Sequence, residues 1–261
     1  MMLQDKNAVI YGAGGSIGSA VARTFAREGA RVFLAGRTEA TLAAVAKEIE
    51  GAGGRADVAV VDALDERAVE AHADAVVAAG GSLDVSLNLV WRGDAQGTPL
   101  LDMSVADYTS AVTTGITANF ITARAAGRRM VEQGSGVILA LDSASGQKPS
   151  PMMGSTCPTD AAVDALIRQL AQELGPSGVR ALGMWVAGVP ETITQEKLGS
   201  VDPALASPEA VAGVLANLDG LRMLPKSPPL QEIAELAAFL ASDRAGAVTG
   251  TWVNGTAMFA S

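Results

Sequence analysis

At 261 residues, 49% hydrophobic and 18% charged, the chain is long and apolar enough for one full α/β core. Lys and Arg number 19 against 28 Asp and Glu, and the resulting net charge of −9 argues against nucleic acid or an anionic membrane as a main partner. The one cysteine, Cys157, excludes an internal disulfide; residues 1–6 carry no signal-peptide pattern and no apolar run nears the roughly 18–20 residues of a membrane span, so a soluble cytoplasmic protein is expected.

Short apolar runs alternate with longer helical patterns along the chain. A strand at 8–11 runs into a turn containing Gly12, Gly14, Gly15, Ser16 and Gly18, and a helix is expected at 16–28. Strands follow at 31–35, 57–61, 84–89, 137–141, 180–186 and 248–253. The intervening helices are expected at 39–50, 66–79, 105–132, 159–174 and 231–240. This alternation predicts a single domain over 1–261, a doubly wound parallel sheet of seven strands with helices on both faces. Two stretches break the rhythm: a polar loop at 91–101, and a proline-containing excursion at 191–229 that reads as a substrate lid. Glycines at a strand-to-helix turn let the backbone approach a pyrophosphate, and the helix N-terminus offers free amides, so the 12–18 turn points to a dinucleotide site. No His, Cys and carboxylate residues have metal-ligand spacing.

The turn spacing Gly12-x3-Ser16-x-Gly18 resembles that of the short-chain dehydrogenase/reductase superfamily, with Ser16 replacing the middle glycine. Further segments agree in order: Asp62 in Val-Val-Asp-Ala-Leu-Asp65, Asn88 in Asp84-Val-Ser-Leu-Asn-Leu-Val90, the helix at 162–176, and Phe239-Leu-Ala-Ser-Asp-Arg-Ala245 followed by Thr249-Gly250. The resemblance implies cofactor contacts at Gly12, Gly15, Ser16, Ile17, Gly18, Asp62, Ala63, Asn88, Val189 and Thr192, and assembly as a homotetramer or homodimer. Arg37 follows the second strand, where NAD recognition wants a carboxylate; an arginine there favours NADP(H). If the Ser16 position needs a positive φ, serine is strained there, with Gly14 and Gly15 expected to supply the freedom.

The same resemblance implies four reaction-centre roles: an asparagine, a serine, and a tyrosine and lysine four residues apart. Here those positions fall on Gly115 (with Asn119 one turn on), Ser143, Thr156 and Asp160. Only the serine is kept. A threonine hydroxyl is too weak an acid and too short to replace tyrosine, and Asp160 reverses the charge of lysine. Asp160 is a candidate base or ribose-binding carboxylate. It and Thr156 equally suit a plain helix start, with Thr156 or Cys157 capping, Pro158 in the first turn and Asp160 facing the dipole. Cys157 reads as an inert small residue and His72 as a surface residue. Lys148 is the first choice for a replacement cation, with Arg92 and Asp94 also within reach of the pocket, and Trp91, Met152, Met153 and Trp185 are expected to line it. The chemistry expected is NADP(H)-dependent reduction or oxidation of a carbonyl, alcohol or enone with an unusual proton donor. The alternatives are a non-redox catalyst (cyclase, dehydratase or isomerase) and a catalytically silent subunit.

Overall fold

The apolar runs form β1 (Asn7–Tyr11), β2 (Arg31–Gly36), β3 (Arg55–Val60), β4 (Val85–Asn88), β5 (Gly136–Asp142), β6 (Val179–Trp185) and β7 (Trp252–Asn254). The structure, a computed structural model, describes residues 1–257. All pairings are parallel and the strand order is β3-β2-β1-β4-β5-β6-β7. The helices are α1 (Ser16–Arg27), α2 (Glu39–Gly51), α3 (Glu66–Gly80), α4 (Val105–Gln133), α5 (Thr156–Leu174), α6 (Gln195–Val201), α7 (Pro208–Gly220) and α8 (Leu230–Ala241).

Central strands are apolar on both faces because both are covered. On one side Phe25 of α1, Leu42 and Ile49 of α2 and Ile233 of α8 pack on Ile10, Leu34 and Leu87. On the other, Val76 of α3, Met130 of α4 and Ile167 of α5 pack on Val9, Phe33 and Ile138. The strand order reverses between β1 and β4, and the crevice beyond their carboxyl ends is the natural ligand position.

Three expectations need correction. His72 is buried: the α3 face bearing Val69, Ala73 and Val76 turns to the sheet and carries His72 with it, edge-on to the Tyr11 ring. Burial lowers its pKa. The last strand is shorter than the apolar run, because Gly250 has φ +65° and the chain straightens only at Trp252. The helix expected at 159–174, α5, begins at Thr156, which puts Thr156 and Asp160 in its first turns.

Trp252 lies across Gly183 and stacks on Trp185, with ring centroids 6.3 Å apart. A Cβ at Gly183 would collide with the Trp252 ring. Gly183→Ala should therefore cost about 1–3 kcal/mol of stability by overpacking. Urea denaturation reads that cost, and the near-ultraviolet circular dichroism of the stacked indoles should change with it.

Candidate active site

The glycine turn fits a bound phosphate chain. Gly12 has φ +81°, and a Cβ there would stand 2.5 Å from the Leu89 carbonyl oxygen across the β1–β4 crevice. A Cβ at Gly18 would strike the Gly12 carbonyl. Gly15 precedes α1 with an extended backbone and no side chain caps the helix, so its first amides remain available to an anion. Within the turn only Gly12 has a positive φ. Ser16 begins the helix without one, so the strain considered for serine does not arise, and Gly14 and Gly15 have no left-handed backbone to supply.

A cavity of about 850 Å³ begins at this turn and passes Asn88, which ends β4 and accepts a hydrogen bond from the Val90 amide at 3.1 Å. Gly12, Gly15, Ser16, Ile17, Gly18, Asn88 and Thr192 all line it. Val189 is buried behind Thr192 and accepts its hydroxyl hydrogen at 2.8 Å. Arg37, Asp62 and Ala63 lie outside the cavity but on the same carboxyl edge, just past β2 and β3. Arg37 is exposed and forms no ion pair among the described residues. Asp62 turns Oδ1 back to the Leu64 amide, 3.0 Å away, and Ala63 is buried. From the 191–229 excursion, Thr194, Lys197, Ser200 and Val201 face the cavity, and Arg222 ties its far end to the carbonyls of Ala187, Gly188 and Thr256.

At the other end Ser143, Thr156 and Asp160 come together, in a way the residue types alone do not reveal. Asp160 is 1% exposed and accepts four hydrogen bonds. Arg92 Nη2 donates to its Oδ1 at 2.5 Å. Ser143 Oγ (2.7 Å), Ser143 N (3.2 Å) and Ser145 N (3.1 Å) converge on Oδ2. Ala144, between the two donating amides, has φ +65°, and the amide concavity so formed is an anion receptor filled by the protein's own carboxylate. Asp160 is thus neither a solvent-facing dipole partner nor a free base, since it is buried, paired with Arg92 and hydrogen-bonded four times.

Arg92 is the cation of the site. Its Nε donates to both oxygens of Asp94 (2.8 and 3.1 Å), so the guanidinium bridges two carboxylates. Burial opposes its charge, but Asp160 and Asp94 outweigh burial and hold its pKa above the usual arginine value. The Thr156 hydroxyl donates to Asp94 at 3.0 Å and accepts from Gln96, so it caps nothing; α5 starts without a side-chain cap. Gly115 leaves room for Arg92: a Cβ there would stand 3.0 Å from Arg92 Cδ and 2.5 Å from Thr159 Cγ2. Asn119 lines the cavity one turn on and donates to the Gly115 carbonyl at 2.9 Å. Lys148 is exposed and outside the cavity lining, so the cation expected of it is supplied by Arg92. The sequence signal for Arg92 was the Arg-x-Asp pair directly after β4.

Trp91 stands exposed at the rim and Met153 lines the cavity, while Met152 and Trp185 do not. Met152 points outward from a positive-φ turn, and Trp185 is held by its stack on Trp252 and an Nε1 contact to Asp164 at 3.4 Å. Cys157 is partly exposed. No cluster of His, Cys and carboxylate residues suited to a metal, and no helix long and apolar enough to cross a membrane, occurs among the described residues.

With the geometry in hand, comparison with known proteins decides the family. The family model described as enoyl-(acyl carrier protein) reductase matches residues 12–254. The L-rhamnose 1-dehydrogenase (NAD(P)(+)) of Azotobacter vinelandii is 34% identical over 256 residues, covering 96% of this chain and 94% of that protein. The chain belongs to the short-chain dehydrogenase/reductase superfamily. Among solved superfamily structures, an NAD+-bound xylitol dehydrogenase aligns over 98% of this chain and 100% of its own, with a TM-score of 0.87 at 24% identity, a likeness of fold. A 7α-hydroxysteroid dehydrogenase complexed with NADH and 7-oxo glycochenodeoxycholic acid aligns over 99% of this chain and 95% of its own, at 27% identity and a TM-score of 0.82. These relatives are oxidoreductases that use nicotinamide dinucleotides.

Behind this superfamily site lies a second buried carboxyl. Asp142 ends β5 with Oδ1 accepting the Ala144 amide at 3.0 Å and Oδ2 buried. Burial, then the charges of Asp160 and Asp164, push its pKa up to about 9, with the Ala144 amide opposing. In the folded state Asp142 holds its proton at neutral pH, whereas in the unfolded chain it ionises in the ordinary carboxylate range near 4. The fold binds this proton more tightly than the unfolded chain, so stability falls as pH rises from about 4 to about 9. Asp142→Asn, which keeps the shape without the proton, should flatten that decline. Melting temperatures at pH 5, 7 and 9 measure it, and the variant should gain most on the wild type at pH 9.

Proposed function

We propose that the protein is an NADP(H)-dependent oxidoreductase that interconverts a carbonyl and an alcohol, or reduces an enone, in a small molecule. One cavity carries the reading: it joins an uncapped helix N-terminus and glycine cradle to the polar group of Arg92, Asp94, Ser143 and Thr156. The amides of Ser16, Ile17 and Gly18 would hold the pyrophosphate, Asp62 and Ala63 the adenine, and Asn88 and Thr192 the nicotinamide half. Arg37, exposed and free of a carboxylate partner, suits the 2′-phosphate of NADP(H). A bound reduced nicotinamide would supply the hydride, to the carbonyl carbon or to the β-carbon of an enone, with Arg92, Ser143 and Thr156 beside the substrate oxygen and water as the proton source.

The family tyrosine and lysine are absent, and Thr156 spends its hydrogen on Asp94, so the side chains hold the substrate oxygen without delivering a proton from a phenol. The 191–229 excursion, with Lys197 and Val201 toward the cavity, would close over the substrate as a lid. Asp160 is buried and its charge is taken up by Arg92 and three further donors, which disfavours a non-redox reaction with Asp160 as base. The family resemblance also supports a homotetramer or homodimer, and the single cysteine supports a reducing compartment such as the cytoplasm.

Fluorescence titration tests the cofactor. NADPH should bind at least about tenfold more tightly than NADH, a difference of about 1.4 kcal/mol. Arg37→Asp should reverse the order, because it places a carboxylate where the 2′-phosphate would sit. Equal affinities, or no binding of either at millimolar concentration, would sink the reading.

A further inference from the structure

The hydroxyl hydrogens of Ser143, Ser145 and Thr156 at the reaction end of the cavity each have a definite destination. Ser143 Oγ donates to Asp160, a pure acceptor, at 2.7 Å, so the hydrogen between Ser143 and Ser145 (2.8 Å) must come from Ser145. The Thr156 hydroxyl donates to Asp94. Of the Arg92 donors, Nε is spent on Asp94 and one Nη2 hydrogen on Asp160. Arg92 Nη1 has no hydrogen-bond partner among the described residues, and its side chain lines the cavity at 14% exposure. The guanidinium is planar and held at Nε by Asp94 and at Nη2 by Asp160, so its plane and with it the position of Nη1 are set by those two carboxylates.

We infer that Arg92 is the oxygen-binding catalytic residue of this protein, with Nη1 donating to the carbonyl oxygen of a neutral ketone, aldehyde or enone. The inference rests on the carbonyl-reducing function proposed above and assigns the group that takes the substrate oxygen. Arginine does not give up its proton at neutral pH, so Arg92 stabilises the negative charge that develops on oxygen, and water completes the alcohol. The departures from the family pattern then form one set. Asp160 in place of lysine and Asp94 hold the guanidinium, and Gly115 in place of asparagine vacates the space its stem crosses. Two carboxylates against one guanidinium leave no net positive charge, which favours a neutral substrate over a carboxylate or phosphate ester.

Removing Arg92 alone leaves a buried, uncompensated carboxylate, so Arg92→Met is paired with Asp160→Asn to preserve folding, and a melting curve verifies it. The probes are cyclohexanone, 2-cyclohexenone and acetophenone, which unlike vicinal diones do not modify arginine. The carbonyl 13C resonance of each is recorded with the protein, with and without NADP+, and NADPH consumption is followed separately. In the wild type the resonance should move downfield for at least one probe, and that probe should be reduced. The double variant should keep its NADPH affinity within about threefold, lose the 13C shift, and lose about 10²–10³-fold in kcat/KM. Arg92→Lys, which keeps the charge without the fork, should recover only part of either signal.

A double variant that retains the shift and the rate overturns the inference. So does a wild type that binds NADPH yet neither shifts nor reduces any probe. Absence of NADPH binding with the 13C shift intact would instead reject the redox function while leaving Arg92 as the carbonyl ligand.

Discussion

The arrangement of the active-site end depends on one buried ion group, Arg92 between Asp94 and Asp160. A carboxylate as deeply buried as Asp160 is tolerable only with its charge balanced and its lone pairs filled. Arg92 supplies the balance from the loop after β4, and the amides of Ser143 and Ser145 supply the rest from the loop after β5. Three separate segments are thereby fastened at one point: the β4 loop, the β5 loop and the start of α5. The same ion group takes the hydrogens of Ser143 and Thr156, which is why the chemistry of the pocket turns on Arg92 Nη1.

The cofactor half is independent of that group. Its shape follows from backbone packing: Gly12 touches the Leu89 carbonyl and Gly18 touches Gly12, so β1, β4 and α1 meet with no side chain between them. This is a requirement of the superfamily framework and is satisfied whatever residues stand at the reaction end. The protein thus joins a glycine cradle to a polar centre whose cation, Arg92, comes from the loop after β4.

Much of the framework was legible in the chain. Short apolar runs and period-3.6 patterns located every strand and the six helices that cover the sheet, because burial on both faces of a parallel sheet writes continuous apolar runs. The errors have local causes. His72 looked like a surface residue because histidine is polar, yet its neighbours Val69, Ala73 and Val76 define the buried face of α3. Trp185 looked like a pocket residue because it ends a strand on the ligand side, but Gly183 opens a slot that draws Trp252 onto it. Lys148 and Arg92 look alike as candidate cations in the chain, because loop position in sequence carries no information about which way a long side chain is drawn.

The sequence by itself determined the seven-stranded doubly wound sheet and the glycine cradle at the β1–α1 turn. These are properties of single segments, set by residue type and periodicity. Only the tertiary structure decided what Thr156 and Asp160 do, since helix start and reaction centre use the same residue types at the same spacing. What distinguishes them is a pair of partners 62 and 68 residues away, Asp94 for Thr156 and Arg92 for Asp160. Those partners are brought within hydrogen-bond reach by the packing of β4 against β5 and of α5 against α4. Electrostatic pairing across such a sequence distance is a consequence of the fold, and no local pattern encodes it.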